Sequence, residues 1–346
     1  MRWGILGCGD VTEVKSGPAL QKAEGSALTA VMRRDAEKAA DCARRHGVPF
    51  STGNADELIA RADVDAVYVA APPGAHLDLA LRVCAAGKPC YVEKPMARSA
   101  AESRAMLGAF AAAGVPLYVA FYRRGLSRFV TAKRLIDEGR LGTITGVSYA
   151  YAAPLPGDLD PANLPWRLRA EDAGAGIFYD IGSHLLDVLD FLLGPLTDVA
   201  GVAKNVAAPY AVEDAVAMSF VAAGAPSVAL WDFAAPDRRD LIEVRGTEAK
   251  LSLSCLGAEP VRLEARGKEA EEFDGSLPPH VHQPLVQGIV DELRAVPGAP
   301  PCPSTGTTAL RTMEVMDAVL SSFYGGREDA FWERPDTWPG RRRPHD

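Results

Sequence analysis

The chain has no apolar run approaching the ~20 residues of a membrane span. It also has no C-x-x-C pair, no histidines at zinc spacing around its cysteines, no excess of basic charge and no internal repeat. Each absence excludes something. Without a span no membrane partner is expected, and the N-terminus, which passes from Met1-Arg2 straight into an apolar strand, leaves no room for a signal peptide. The six cysteines, Cys8, Cys42, Cys84, Cys90, Cys255 and Cys302, are scattered. That argues against zinc and for reduced thiols in a cytoplasmic protein. A net charge of -8 with a pI near 5.4 argues for a soluble protein and against a nucleic-acid surface. The tail run Arg341-Arg342-Arg343 is too short to change that.

What is present is a regular alternation. The 346 residues exceed one hydrophobic core, so two domains are expected. Over 1–122, short apolar strands alternate with amphipathic helices, the pattern of a doubly wound parallel sheet. Trp3-Gly4-Ile5-Leu6 reads as the first strand, and Gly7-Cys8-Gly9-Asp10-Val11-Thr12 as a glycine turn entering a helix. Strand, glycine turn and helix in that order suit a dinucleotide, because glycines let the backbone approach the pyrophosphate and a helix N-terminus faces it. Thr12 stands where a third glycine is usual, which questions how closely the first helix packs, and Pro18 limits or kinks that helix. The second strand, Ala27 to Val31, ends in Met32-Arg33-Arg34-Asp35. An acid at such a strand end suits a ribose 2'-hydroxyl, whereas arginine suits a 2'-phosphate. Arg33 and Arg34 therefore favour NADP, with NAD as the alternative. The same pair also reads as solvated arginines opening a charged helix with Asp35 as its N-cap.

Two strand ends carry further candidates. Val64 to Ala70 leads into Ala71-Pro72-Pro73-Gly74-Ala75-His76, a rigid loop whose backbone can approach a ligand, with His76 opening the next helix. The buried strand Cys90-Tyr91-Val92 ends in Glu93-Lys94-Pro95. Ligands of open α/β sheets sit beyond the carboxyl ends of strands, and a lysine in a partly dry crevice passes protons near neutral pH. The alternative is a surface lysine paired with Glu93.

A change of domain is expected at Arg123-Arg124-Gly125, followed by an α+β domain over 123–324 and an irregular arm over 325–346. The long connection from Pro154 to Gly176, bearing Trp166 and Arg167, suggests a functional loop. Asp180 and His184 stand one helical turn apart in an apolar segment, so both fall on one face, and His184 suits proton transfer. A capped helix with a satisfied histidine is the alternative. Asp187 is off their line, and no metal is assigned. From Val199 to Ala265 short strands succeed one another, giving an open, largely antiparallel sheet closed by helices at Gln283–Ala295 and Thr307–Tyr324. An open face of that sheet would serve a homodimer or higher homo-oligomer.

Together these motifs resemble the glucose-fructose oxidoreductase, inositol dehydrogenase and rhizopine-catabolism family (Gfo/Idh/MocA): the Gly7/Gly9 turn, Ala71-Pro72-Pro73 with His76, Glu93-Lys94-Pro95, and Gly176 through Asp180 to His184. Within it, Cys8-Gly9-Asp10-Val11 and Trp166-Arg167 look most like the 1,5-anhydro-D-fructose reductase branch, which implies NADPH and a sugar-like ketone. The resemblance implies a Rossmann domain followed by an α/β domain with an open sheet, and hydride transfer between nicotinamide C4 and a carbinol or carbonyl carbon of a sugar or polyol. It further implies that Lys94 bonds the reacting oxygen, that His184 is general acid or base, and that Asp180 holds the substrate or tunes Lys94. Tyr122, Trp166 and Arg167 would line the substrate. Glu93 would fix the cofactor or lysine, with Ala71, Pro72 and His76 at the nicotinamide half. Two other functions remain open: a hydrolase or lyase using bound NAD transiently, as in related glycosidases, and a catalytically silent sugar sensor.

Overall fold

The structure is a computed structural model that describes residues 1–155, 157, 159–160 and 162–341. Arg342 and Arg343 of the basic tail, the end of the expected arm, and Pro156, Asp158 and Pro161 of the long connection lie outside the described residues. The chain divides into two compact units: 1–97 with 102–126 and 277–310, and 98–101 with 127–276 and 311 onward.

Among the described residues of the first unit, β1 (Arg2–Leu6), β2 (Ala27–Met32), β3 (Phe50–Thr52), β4 (Ala66–Val69), β5 (Cys90–Val92) and β6 (Leu117–Val119) form one sheet in the order β3-β2-β1-β4-β5-β6. Every pairing is parallel. Residues of β4, β5 and β6 are buried on both faces, which is why those strands are continuously apolar. The strand order reverses between β1 and β4, so the turn after β1 lies at the switch point where such sheets take ligands.

The helices of this stretch are α1 (Gly17–Lys22), α2 (Ala36–His46), α3 (Ala55–Ile59), α4 (His76–Ala85) and α5 (Ala100–Ala113). Asp35 caps α2 as expected, accepting from the Lys38 N–H at 3.1 Å. The entry to α1 differs from a plain helix. Thr12–Ser16 is a π turn in which the Gly17 N–H reaches back to the Thr12 carbonyl. The widened turn accommodates Pro18, which has no N–H to give. A Cβ on Gly17 would overlap that same carbonyl oxygen, so glycine is required there. β3 is a three-residue edge strand at Phe50–Thr52, and β6 stops at Val119, because the Phe121 N–H turns back to the Val119 carbonyl before a 3-10 turn at Tyr122–Gly125.

The second unit holds α6 (Ser127–Asp137), β7 (Ile144–Ala152), α7 (Ala170–Ala173) and α8 (Ile177–Leu193). Then follow β8 (Thr197–Lys204), β9 (Ala215–Ala222), β10 (Ala225–Asp232), β11 (Arg239–Gly246), β12 (Ala249–Leu253), β13 (Val261–Ala265) and β14 (Glu271–Phe273). The sheet order is β14-β13-β12-β11-β7-β10-β9-β8, antiparallel except for the parallel pair β7 and β10. The edge strand β14 is charged and short, so no alternation announces it. Period-two alternation places Val216, Met218, Phe220, Tyr149, Trp231, Ile242 and Val244 on the buried face, where the Phe178 ring of α8 meets Trp231 edge-on at 4.8 Å. The opposite face carries a row in register across five strands: Val202, Ala217, Leu230, Ala150 and Leu241. Val202 and Leu230 are half exposed, as is Val228 on the same face.

The helix α9 (Gln283–Leu293) was expected to cover this second sheet. Instead it belongs to the first unit, where Leu285, Val286, Ile289 and Val290 join a core with Trp3, Ile5, Leu20 and Tyr91. The amphipathic pattern tells which face is buried but not which partner buries it. A close approach holds it there: a Cβ on Gly125 would come within 2.9 Å of the Leu285 nitrogen. α10 (Gly306–Tyr324) starts in the first unit and ends in the second.

Candidate active site

In the first unit the chain gathers three strand-end loops at the switch point. The Gly7 and Cys8 N–H groups both donate to the Met32 carbonyl, at 2.9 and 3.0 Å, and Gly7 has φ +96°. A Cβ on Gly7 would lie 2.8 Å from the Ala71 nitrogen, so the turn after β1 and the loop after β4 touch. Thr12 clamps the turn: its hydroxyl accepts from the Gly9 N–H at 2.8 Å and donates to the Gly9 carbonyl at 2.7 Å. The residue that broke the glycine pattern thus acts as a clip. A Cβ on Gly9 would meet no protein atom within 4 Å, so the chain itself does not demand glycine there. Open space over a glycine turn at a switch point fits close approach of a pyrophosphate. Asp10 is exposed and Val11 partly so. Cys8 is buried, and burial pushes its thiol up to about 12, so it stays an unreactive thiol. Arg33 is partly exposed and Arg34 exposed; among the described residues neither makes an ion pair.

His76 is fully buried at the start of α4. Its Nε2 lies 2.7 Å from the Ala71 carbonyl, and its Nδ1 lies 3.1 and 3.3 Å from the carbonyls of Pro95 and Met96. The ring therefore braces the loop after β4 against the loop after β5, and burial lowers its pKa. Pro72, exposed, projects from the first of these loops.

Glu93 and Lys94 follow β5, and the Lys94–Pro95 peptide is cis. The Glu93 carboxylate is buried: one oxygen accepts from the Tyr68 hydroxyl and the other from the Lys94 backbone N–H at 3.0 Å. The backbone of Lys94 is thus fixed by its neighbour, while its side chain remains partly exposed. Tyr68 and Tyr91 stack at 4.8 Å behind this pair, and burial pushes both phenols well up, so neither hydroxyl ionises. Against them stands His282, a residue that sequence reasoning did not single out. Its only local signal is its place before an amphipathic helix.

In the second unit Asp180 and His184 both lie on α8, one turn apart as expected. Asp180 accepts from Arg167 Nε at 3.1 Å, and the Arg167 guanidinium lies over the Trp166 ring at 4.6 Å. His184 is buried, as is Asp187. The N-terminus of α8 is capped from afar: the Gly176 N–H donates to both Glu213 oxygens, at 3.0 and 3.1 Å. Glu213 also accepts from the Tyr324 hydroxyl at 2.5 Å, and burial pushes its carboxyl up to about 7 despite those donors and Arg327 nearby. Sequence reasoning missed Glu213 and Arg327, because their partners are distant in the chain. Among the described residues one set has metal-ligand spacing, Glu13, Cys42 and His46, with donor atoms within 4.8 Å of one another. Arg45 pairs with that Glu13 carboxylate, at the helix surface.

The turn at Gly7–Thr12, Ala71, His76, Glu93, Lys94 and Tyr122 therefore belong to one unit, and Trp166, Arg167, Asp180 and His184 to the other.

Comparison with known proteins bears on both units. Residues 1–121 match the oxidoreductase family with an NAD-binding Rossmann fold, and residues 129–252 match the GFO/IDH/MocA C-terminal domain. An oxidoreductase, P35, of Formosa agariphila is 33% identical over 292 residues, covering 84% of this chain and 90% of its own. A 1,5-anhydro-D-fructose reductase of Ensifer adhaerens is 32% identical over 192 residues, 56% of each chain. A levoglucosan dehydrogenase of Pseudarthrobacter phenanthrenivorans is 34% identical over 166 residues, 48% of this chain and 42% of its own, so these two matches span about half of each relative. Among solved structures, a levoglucosan dehydrogenase in complex with NADH and levoglucosan superposes with a TM-score of 0.80 at 23% identity, covering 93% of this chain and 96% of that one. At that identity the likeness shows the fold.

Proposed function

The chain belongs to the Gfo/Idh/MocA oxidoreductase family, with an NAD-binding Rossmann fold at its N-terminus, and from that premise we propose that it moves a hydride between a nicotinamide cofactor and a carbinol or carbonyl carbon of a sugar, anhydro-sugar or polyol. The observation that carries this reading is the pair Glu93-Lys94 at the carboxyl end of β5, its backbone clamped by a buried carboxylate. When bound, the nicotinamide supplies or accepts the hydride.

The chain's own residues do the rest. The turn from Gly7 through Thr12 holds the pyrophosphate, and the loop at Ala71 and Pro72 together with Glu93 walls the nicotinamide half. The Lys94 ammonium donates to the reacting oxygen. His184 gives that oxygen a proton in reduction or takes one in oxidation, Asp180 orients a substrate hydroxyl, and Tyr122, Trp166 and Arg167 line the substrate. A screen of cofactor absorbance at 340 nm over ketoses, osones, inosones and anhydro-sugars tests the reading; a change with at least one sugar class is expected. Cleavage of glycosides with no net change in absorbance would replace it with hydrolysis or elimination through a tightly held cofactor, and cofactor binding without any turnover would make the chain a sensor.

The preferred cofactor is NADP, because among the described residues Arg33 and Arg34 at the end of β2 have no acidic partner to compete with a 2'-phosphate. Arg33→Asp lowers the ratio of kcat/KM with NADPH to that with NADH by about 10-fold or more, the worth of one charge-assisted bond. An unchanged ratio means that this arginine does not touch the phosphate. Six buried free cysteines suit a reducing, cytoplasmic setting.

The working form is a homodimer or larger homo-oligomer assembled on the open face of the second sheet, where Val202, Val228 and Leu230 form an exposed apolar strip. Light scattering of the parent gives at least twice the chain mass, and Val228→Asp with Leu230→Asp returns it to one chain. A parent that scatters as a monomer at micromolar concentration removes this assembly.

A further inference from the structure

The return of the chain to the first unit brings one imidazole behind the lysine loop. His282, at the N-terminal end of α9, is 1% exposed. Its Nδ1 lies 3.2 Å from the Tyr91 hydroxyl, its Nε2 lies 3.8 Å from a Glu93 oxygen, and its ring lies 4.4 Å from the Tyr122 ring at 31°. Burial, with the positive charges of Lys15, Lys94 and Arg123, lowers its pKa to about 3, so the ring is neutral at any working pH. A neutral ring has one N–H, and in one tautomer Nδ1 accepts from the Tyr91 hydroxyl while Nε2–H faces the Glu93 carboxylate across 3.8 Å, an orienting contact longer than a hydrogen bond. That carboxylate accepts the Lys94 backbone N–H.

We propose that His282 is a positioning residue of the hydride-transfer site, holding the Glu93 carboxylate and the Tyr122 ring in place and so fixing where the Lys94 side chain starts. Its effect on turnover depends on the role given above to Lys94. A histidine that only filled space against Tyr122 would be replaced by phenylalanine without loss. The two nitrogens distinguish the cases, since Nδ1 bonds Tyr91 and Nε2 faces the Glu93 carboxylate that holds the Lys94 backbone.

His282→Phe keeps the ring stack and removes both nitrogens, and His282→Gln restores an amide able to donate toward Glu93. On the full-length protein, His282→Phe lowers kcat by about 10- to 100-fold with KM and cofactor Kd within a few-fold, because small misplacements at a reacting centre are costly. His282→Gln recovers most of that loss. A readout without cofactor or substrate is the rate at which pyridoxal 5'-phosphate with borohydride labels Lys94, followed by peptide mass. Labelling of Lys94 changes at least about threefold in His282→Phe, while Lys88, held by the Arg61 carbonyl in the same unit, labels as in the parent. Equal kcat and equal Lys94 labelling in parent and His282→Phe overturn the proposal, as do Phe and Gln variants that fall together. Lys94→Ala separates the two levels: if it stays active, the function assigned to Lys94 fails, whereas if it is inactive and His282→Phe is not, only the positioning role fails.

Discussion

Replacing Lys94 with alanine lowers turnover by ~10²–10⁴-fold while cofactor affinity stays nearly intact, and His184→Ala does the same. The size follows from losing a positioned donor at the reacting oxygen in the first case and a proton carrier in the second. Cofactor affinity is spared because the groups proposed to hold the dinucleotide, the turn from Gly7 through Thr12 and Arg33, are untouched by either change. Folding is spared in Lys94→Ala because the backbone bond from Lys94 to Glu93 does not involve the side chain that is removed. His184 is buried, so His184→Gln accompanies it to separate packing from proton transfer. Steady-state rates in the direction that the sugar screen reveals, with cofactor titration by fluorescence, measure both quantities. Turnover unchanged in both alanine variants would remove Lys94 and His184 from the chemistry altogether.

Arg327→Ala destabilises the protein by about 3–5 kcal/mol, the usual cost of removing one partner of a buried ion pair. Arg327 is 3% exposed and donates to Asp317 at 2.6 Å and to the carbonyls of Gly174 and Arg98 at 2.8 Å each. Its guanidinium also lies over the rings of Tyr179, Tyr324 and Phe331 at 4.8, 5.0 and 4.3 Å. Alanine leaves the Asp317 carboxylate without its cation and strips a positive charge from the neighbourhood of Glu213. The sign of the pH dependence follows. Glu213 has its folded pKa raised from 4.5 to about 7, so its contribution to stability is fully present below 4.5 and lost as pH rises through about 7. Arg327 holds that pKa down, so without it the loss at high pH deepens. The penalty of Arg327→Ala is therefore larger at pH 8 than at pH 5, read by urea unfolding at both. A penalty below 1 kcal/mol, or one independent of pH, would contradict a charge network that caps α8. Arg327→Lys recovers only part, because an ammonium cannot reach Asp317 and two carbonyls in the same plane.

The candidate site residues differ in how far they could be read from the chain. Gly7, Gly9, Glu93 and Lys94 are legible because local grammar announces them: an apolar strand, then glycine or a charged pair, then proline or a helix. The alternation of the first 122 residues announced the parallel sheet for the same reason, and the succession of short strands from Val199 to Ala265 announced the second sheet. Asp180 and His184 were legible as two polar residues one turn apart in an apolar helix. Thr12 was read as a flaw in the glycine pattern, yet it closes the turn through its own hydroxyl, a contact between residues three apart that depends on the path of the backbone.

By itself, then, the sequence determined the elements, their periodicity and the chemistry placed at strand ends, since each depends on residues within a few positions of one another. Tertiary structure alone decided which helix covers which sheet and which buried groups meet. His282 lies 191 positions from Tyr91, and Glu213 lies 111 from Tyr324. No local pattern encodes such distances: an amphipathic face or a lone polar residue states only that it must be buried and satisfied, and the fold supplies the partner.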